Sequence, residues 1–221
     1  MVAGVFRHGS RNPGKKDIAA FAALEAKFRA LDAAALPPAF RWLPSFRSPY
    51  TLRDAHQLTD DGAAELAGIG ARLRARFPAL FDRYRPGQHE LHATCKERAA
   101  RSAAALGLGL FRGTGPPATG GFAAVHVTAP PCGAPDPLLR FFDHCPAYTT
   151  QEAARAARAE REAFVGGAEL AAAARRVGRA LLGAPLSAHE AQAVYSLCAF
   201  AAPRAAGAGG GGGGGDGGGG G

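Results

Sequence analysis

The chain has 221 residues, 47% of them hydrophobic, with 26 Lys and Arg against 18 Asp and Glu and a formal net charge of +8. That length allows one large domain or two small ones, with residues 1–206 able to bury a core, and the positive balance points to an anionic partner: a phosphorylated small molecule, a nucleic acid or a membrane surface. No run of about 18 apolar residues is present to span a membrane, no basic run of the nucleic-acid-binding kind occurs, and no signal peptide precedes Met1.

Residues 2–6, Val-Ala-Gly-Val-Phe, are short and apolar and are followed by Gly9 and Pro13, as a buried strand would be. Asn12 and Pro13 fit an N-cap and a first helical position. Ile18, Phe21, Leu24, Phe28 and Leu31 then recur at helical spacing, which predicts a helix to about residue 35, ended by Pro37 and Pro38. After an irregular stretch over 39–58, Thr-Asp-Asp-Gly opens a second helix at Thr59, with Leu66, Ile69, Leu73, Phe77 and Leu80 as its buried stripe. A strand is expected at 89–94. Thr94 and Glu97 then read as a capping box that starts a third helix running to about residue 111. A Gly/Pro loop at 113–121 precedes another strand at 122–128.

Beyond Pro130 and Pro131 the pattern becomes helical, with helices expected at about 149–165, 168–183 and 187–201. The reading is an α/β part over residues 1–128, an all-helical subdomain over 129–206, and a glycine-rich tail over 207–221 that is too low in complexity to fold. Gly-Leu-Gly-Leu-Phe-Arg-Gly at 107–113 has the wrong spacing for a dinucleotide loop and reads as core packing at a helix end. The four cysteines, Cys95, Cys132, Cys145 and Cys198, form no C-x-x-C pair, which argues against zinc. Two disulfides are possible in an oxidising compartment, and the spacing leaves their pairing open.

Charge is placed oddly at two of the helix starts. Asp60 and Asp61 suit the positive end of the second helix, but Lys15 and Lys16 follow Arg7, His8 and Arg11 at the first, and Lys96 and Arg98 open the third. Lysines there can extend into water. Arg7, at the end of an apolar strand, and Arg11 before a helix are harder to explain as surface residues. A bound anion reverses the electrostatic cost: free backbone N–H groups at a helix start, with guanidinium forks around them, cradle a phosphate. Both starts follow a predicted strand, so an α/β sheet would bring them together at the strands' carboxyl ends.

Arg-His-Gly-Ser-Arg-Asn-Pro at 7–13 matches the R-H-G-x-R-x-P motif of the histidine acid phosphatases, the branch of the histidine phosphatase superfamily that includes phytases. Residues 74–81, 93–106, 138–145 (Leu-Leu-Arg-Phe-Phe-Asp-His-Cys) and 195–200 resemble the multiple inositol polyphosphate phosphatase family within it. The resemblance implies an incomplete histidine-phosphatase-type sheet flanked by helices. It implies a phosphomonoesterase acting on inositol polyphosphates and on 2,3-bisphosphoglycerate, with no cofactor and no metal. His8 would be the nucleophile that carries a phosphohistidine, and Arg7, Arg11 and Arg98 would hold the phosphate oxygens. Lys15 and Lys96 would contact further phosphates. The family is secretory, in the endoplasmic reticulum lumen or outside the cell, and a Cys145–Cys198 disulfide fits that. Cys95 is expected to be a buried thiol.

The resemblance covers residues 1 to about 200 and corresponds to the front part of the family's sequences. The family's second motif, His-Ala-Glu, whose acid protonates the leaving alcohol, does not occur. His89-Glu90, His189-Glu190 and Asp143-His144 do not replace it: the first lies too close to His8 in sequence, the second reads as a capping box with Ser187, and the third belongs to a different segment. The chain therefore reads as a truncated phosphatase with little or no catalysis alone, or as a non-catalytic phosphate-binding remnant. A nucleic-acid-binding module is disfavoured, because basic and aromatic residues are not interleaved.

Overall fold

The computed structural model describes residues 2–149 and 152–208. It is mostly helical: α1 (Lys15–Arg29), α2 (Asp60–Arg76), α3 (Glu97–Phe111), the short α4 (Pro146–Thr149), α5 (Glu152–Gly166), α6 (Ala168–Leu182) and α7 (Ala188–Ala208), with short 3-10 turns between them. Two strands of two residues each, β1 (Leu91–His92) and β2 (Val127–Thr128), pair in parallel, Leu91 with Val127 and His92 with Thr128. The expected glycine tail lies outside the described residues from 209 on.

α2 and α3 form the tightest pair. A Cβ on Gly70 would lie 2.3 Å from the Leu106 carbonyl oxygen, so the backbones touch there and only glycine fits. Gly109 meets the Ala67 carbonyl in the same way. Gly107 and Gly109 are thus packing residues, as the sequence indicates, whereas Gly113 is exposed at φ 75° and serves the turn after α3. Leu66, Leu106, Leu110 and Phe111 bury the apolar faces of this pair.

The second core joins the front of the chain to the helical part. Leu24 and Phe28 of α1 pack with Leu36, Leu43, Ala174 and Leu182 of α6, Leu186, and Ala193 of α7. Ile18, Phe21 and Tyr50 form a third cluster, against which Leu197 and Phe200 of α7 pack. The end of α7 nearer Ser187 is fixed by Glu190, which accepts from the Ser187 N–H (2.8 Å) and from Lys27 Nζ on α1 (2.7 Å). His189-Glu190 is therefore a helix start, as expected.

Several expectations are corrected. Residues 2–6 form no strand: Val2, Val5 and Phe6 are 51%, 91% and 44% exposed, and a cavity of about 570 Å³ separates this segment from residues 88–94. Apolar character makes a strand only where a neighbour supplies ladder hydrogen bonds, and among the described residues none does so here. α1 starts at Lys15 with Gly14 as its N-cap, not at Asn12, and stops at Arg29. The disulfide joins Cys95 to Cys132, Cα atoms 5.0 Å apart, and no bond joins Cys145 to Cys198. Cys95 is accordingly not a thiol. That link also moves the start of α3: the chain turns at Cys95, and Lys96, not Thr94, is the N-cap, with no side-chain cap.

Candidate active site

Residues 7–12 run as a loop whose backbone is clamped on three sides. Asn12 N–H bonds the Gln57 carbonyl (2.8 Å), Arg11 bridges to Leu58, and Thr59 N–H and its hydroxyl both donate to the Ser10 carbonyl (3.0 and 2.9 Å). Glu65 of α2 accepts from the Ser10 N–H (2.9 Å) and hydroxyl (2.7 Å). Ser102, buried on α3, accepts from the Gly9 N–H at 3.1 Å. Gly9 also meets Gly62 so closely that a Cβ on either would collide with the other segment's backbone, 2.1 Å from a carbonyl oxygen. The start of α2 is thus pressed against the loop.

This scaffold presents His8, Arg7 and Arg11 to a cavity of about 280 Å³, lined also by Ser10, Thr59, Asp61, Glu65 and Phe200. His8 Nδ1 lies 2.8 Å from the Gly9 carbonyl oxygen. A carbonyl only accepts, so Nδ1 carries the proton and Nε2 keeps its lone pair. Burial pushes the imidazole below its ordinary 6.5; the Gly9 bond opposes this, and the charges of Arg98, Arg7 and Arg11, in that order, push it further down. The result is a neutral imidazole with an available lone pair among positive charges.

Arg98, in the first turn of α3, is the guanidinium with the largest electrostatic effect on both His8 and Arg11. Its Nε is buried without a hydrogen-bond partner. Burial, then Arg98, lower the Arg11 guanidinium from its ordinary range; Asp17 opposes this and Arg7 adds to it. Arg11 Nη1 donates to the Asn12 carbonyl at 2.8 Å. Three cations held this close repel one another, and an anion among them removes the repulsion.

Of the eight residues singled out from sequence, His8, Arg7 and Arg11 line the cavity, while Arg98 is outside its lining and acts on His8 and Arg11 through its charge. Lys15 and Lys96 are exposed at the starts of α1 and α3 and do not line the cavity. Each of those helix starts also carries an acid, Asp17 or Glu97, so the charge mismatch there is partly offset. None of the three acid-histidine pairs lines the cavity beside His8. His89 accepts from the Arg85 N–H through Nδ1 (2.9 Å), bonds the Leu80 carbonyl through Nε2 (2.8 Å) and packs on Phe111. Asp143 pairs with Arg140 at 2.6 Å.

Sequence reasoning missed Ser102, Glu65, Asp61 and Phe200. Ser102 carried a signal, since it lies four residues after Arg98 on the same helical face. The other three are placed by tertiary packing and have none.

The sequence profile of the histidine phosphatase superfamily (branch 2) matches residues 1–207. The chain is 30% identical over 214 residues to multiple inositol polyphosphate phosphatase 1 of Homo sapiens, covering 90% of this chain and 43% of that protein. It is 33% identical over 141 residues to multiple inositol polyphosphate phosphatase 1 of Gallus gallus, covering 64% of this chain and 29% of that protein. The chain thus spans less than half the length of these curated relatives. No solved structure gives a significant match.

Proposed function

The chain belongs to the histidine phosphatase superfamily, branch 2, and from that premise we propose that it is the phosphate-binding and nucleophile-bearing part of a phosphomonoesterase acting on inositol polyphosphates. The observation that carries the proposal is His8, set with Nδ1 2.8 Å from the Gly9 carbonyl oxygen and held below its ordinary range by burial and by the charges of Arg98, Arg7 and Arg11, with the buried Nε of Arg98 lacking a partner. Nε2 attacks phosphorus in line, the P–O bond to the alcohol breaks, and a phosphohistidine forms. The three guanidiniums hold the equatorial oxygens, where their forks match the geometry. Water then attacks the phosphohistidine and releases inorganic phosphate.

Lys15 and Lys96 would meet further phosphates of the ring from outside the cavity lining. β1 and β2 would be part of a histidine-phosphatase-type sheet. The Cys95–Cys132 disulfide supports an oxidising, secretory compartment.

The leaving alcohol needs a proton, and these 221 residues hold no His-Ala-Glu to give it. Lack of a general acid typically costs about 10²–10⁴-fold in rate. The second reading is that these residues on their own bind phosphate esters without turnover. Phosphate release from inositol hexakisphosphate separates the two: turnover by the full chain that is lost in His8→Ala establishes the enzyme, whereas binding without release establishes the remnant. Binding that is unchanged in both His8→Ala and Arg98→Ala overturns both.

A further inference from the structure

Arg11 is half-buried; the charges of Arg98 and Arg7 oppose it, Asp17 attracts it, and Nη1 is held by the Asn12 carbonyl. It also meets a residue far away in sequence: the guanidinium carbon lies 5.7 Å from the centre of the Phe200 ring. The negative face of an aromatic ring attracts a cation, most strongly where water is excluded.

The ring is itself held in place. It makes edge contacts with Phe21 (6.5 Å, 66°) and Tyr50 (6.4 Å, 68°), both buried. The helix that carries it is anchored on α1 by the Lys27–Glu190 ion pair, ten residues and about 15 Å back along α7. Phe200 also lines the His8 cavity, together with Ala199.

We propose that Phe200 is a positioning residue for Arg11: its ring holds the guanidinium fork toward the cavity, so the helical part of the chain sets how tightly the motif loop binds a phosphate. The inference rests on the reading of the cavity as a phosphate site. An aliphatic side chain of similar bulk fills the aromatic cluster but lacks the ring's electrostatic face, and Arg11 then relaxes away from Arg98.

Binding of inorganic phosphate to the full chain, followed by calorimetry, tests this with Phe200→Leu, Phe200→Tyr, Arg11→Ala and the Phe200→Leu/Arg11→Ala pair. Phe200→Leu weakens binding about threefold, Phe200→Tyr retains wild-type affinity, and Phe200→Leu has no further effect once Arg11 is alanine. The Arg11 Nε–H resonance carries a ring-current shift that disappears in Phe200→Leu. Equal affinity of Phe200→Leu and wild type, equal weakening in the Arg11→Ala background, or Phe200→Tyr as weak as Phe200→Leu each overturns the inference. Wild-type binding that is lost in Arg98→Ala but indifferent to Phe200→Leu sinks this inference alone. A wild-type chain that binds no phosphate overturns the phosphate-site reading and this inference with it.

Discussion

His8 donates from Nδ1 to the carbonyl oxygen of Gly9, the next residue in the chain, at 2.8 Å. This short contact sets the tautomer, and burial, reinforced by the surrounding guanidiniums, disfavours the charged ring. The imidazole is lowered first by burial and then by Arg98, Arg7 and Arg11, against the Gly9 bond. An NMR titration of the His8 ring should therefore give a midpoint below 6.5, and Arg98→Ala should raise it more than Arg7→Ala or Arg11→Ala. The linkage has a definite sign. The unfolded chain takes up the proton first, so His8 costs no stability above pH 6.5, and stability falls as pH drops from there through the lowered folded-state midpoint. A midpoint at or above 6.5 would sink the neutral-nucleophile reading.

Gly62 supports the loop through backbone contact. A Cβ there would lie 2.1 Å from the Ser10 carbonyl oxygen and 2.6 Å from the Ser10 nitrogen, both already engaged by Thr59 and Glu65. Gly62→Ala should force α2 away from the loop and cost about 1–3 kcal/mol, the usual range for overpacking. Thermal unfolding reads the stability loss, and phosphate titration reads the displaced motif. An alanine variant with wild-type melting and binding would show that α2 is free to shift.

Much of this site was legible from seven residues. Arg-His-Gly-Ser-Arg-Asn-Pro marks the loop that carries His8, Arg7 and Arg11, and helical spacing from Glu97 puts Arg98 and Ser102 on one face. Helix positions followed from apolar periodicity, because Ile18, Phe21, Leu24 and Phe28 are buried at that spacing. Illegible features were those that depend on a distant partner. Val-Ala-Gly-Val-Phe has strand composition, but a ladder is made by two segments and not by one. The disulfide pairing depends on where β1 and β2 end, since Ala93 N–H bonds the Thr128 carbonyl at 2.9 Å and brings Cys95 beside Cys132. Phe200 reaches Arg11 only because α7 lies across α1.

The Cys95–Cys132 link closes a sequence separation of 37 residues three positions before Arg98. Loop-closure entropy gives it about 4 kcal/mol of stabilisation. Reduction, or Cys95→Ser with Cys132→Ser, should lower the melting temperature and weaken phosphate binding together, because the start of α3 loses its tether. Peptide mapping under non-reducing conditions should recover Cys95 and Cys132 in one linked pair. Recovery of Cys95 and Cys132 in separate, unlinked peptides would contradict the arrangement of the strands.

The ion pair between Lys27 and Glu190 ties α7 to α1 at 2.7 Å. The Lys27 hydrogen bond, followed by the Ser187 N–H, holds the Glu190 carboxyl down at about 2, against an ordinary 4.5. A carboxylate lowered in the folded state stabilises the fold above pH 4.5, and that contribution is lost as pH falls from 4.5 toward 2. Both side chains are about a third exposed, so solvent screening limits the pair to at most about 1 kcal/mol. Glu190→Gln should therefore melt below the wild type at neutral pH, by a few degrees at most, and the gap should close on acidification through that window. Raising the salt concentration should narrow it as well. Equal melting of Glu190→Gln and the wild type at neutral pH would mean that the packing of Leu197 and Phe200, and not this charge pair, keeps α7 on α1.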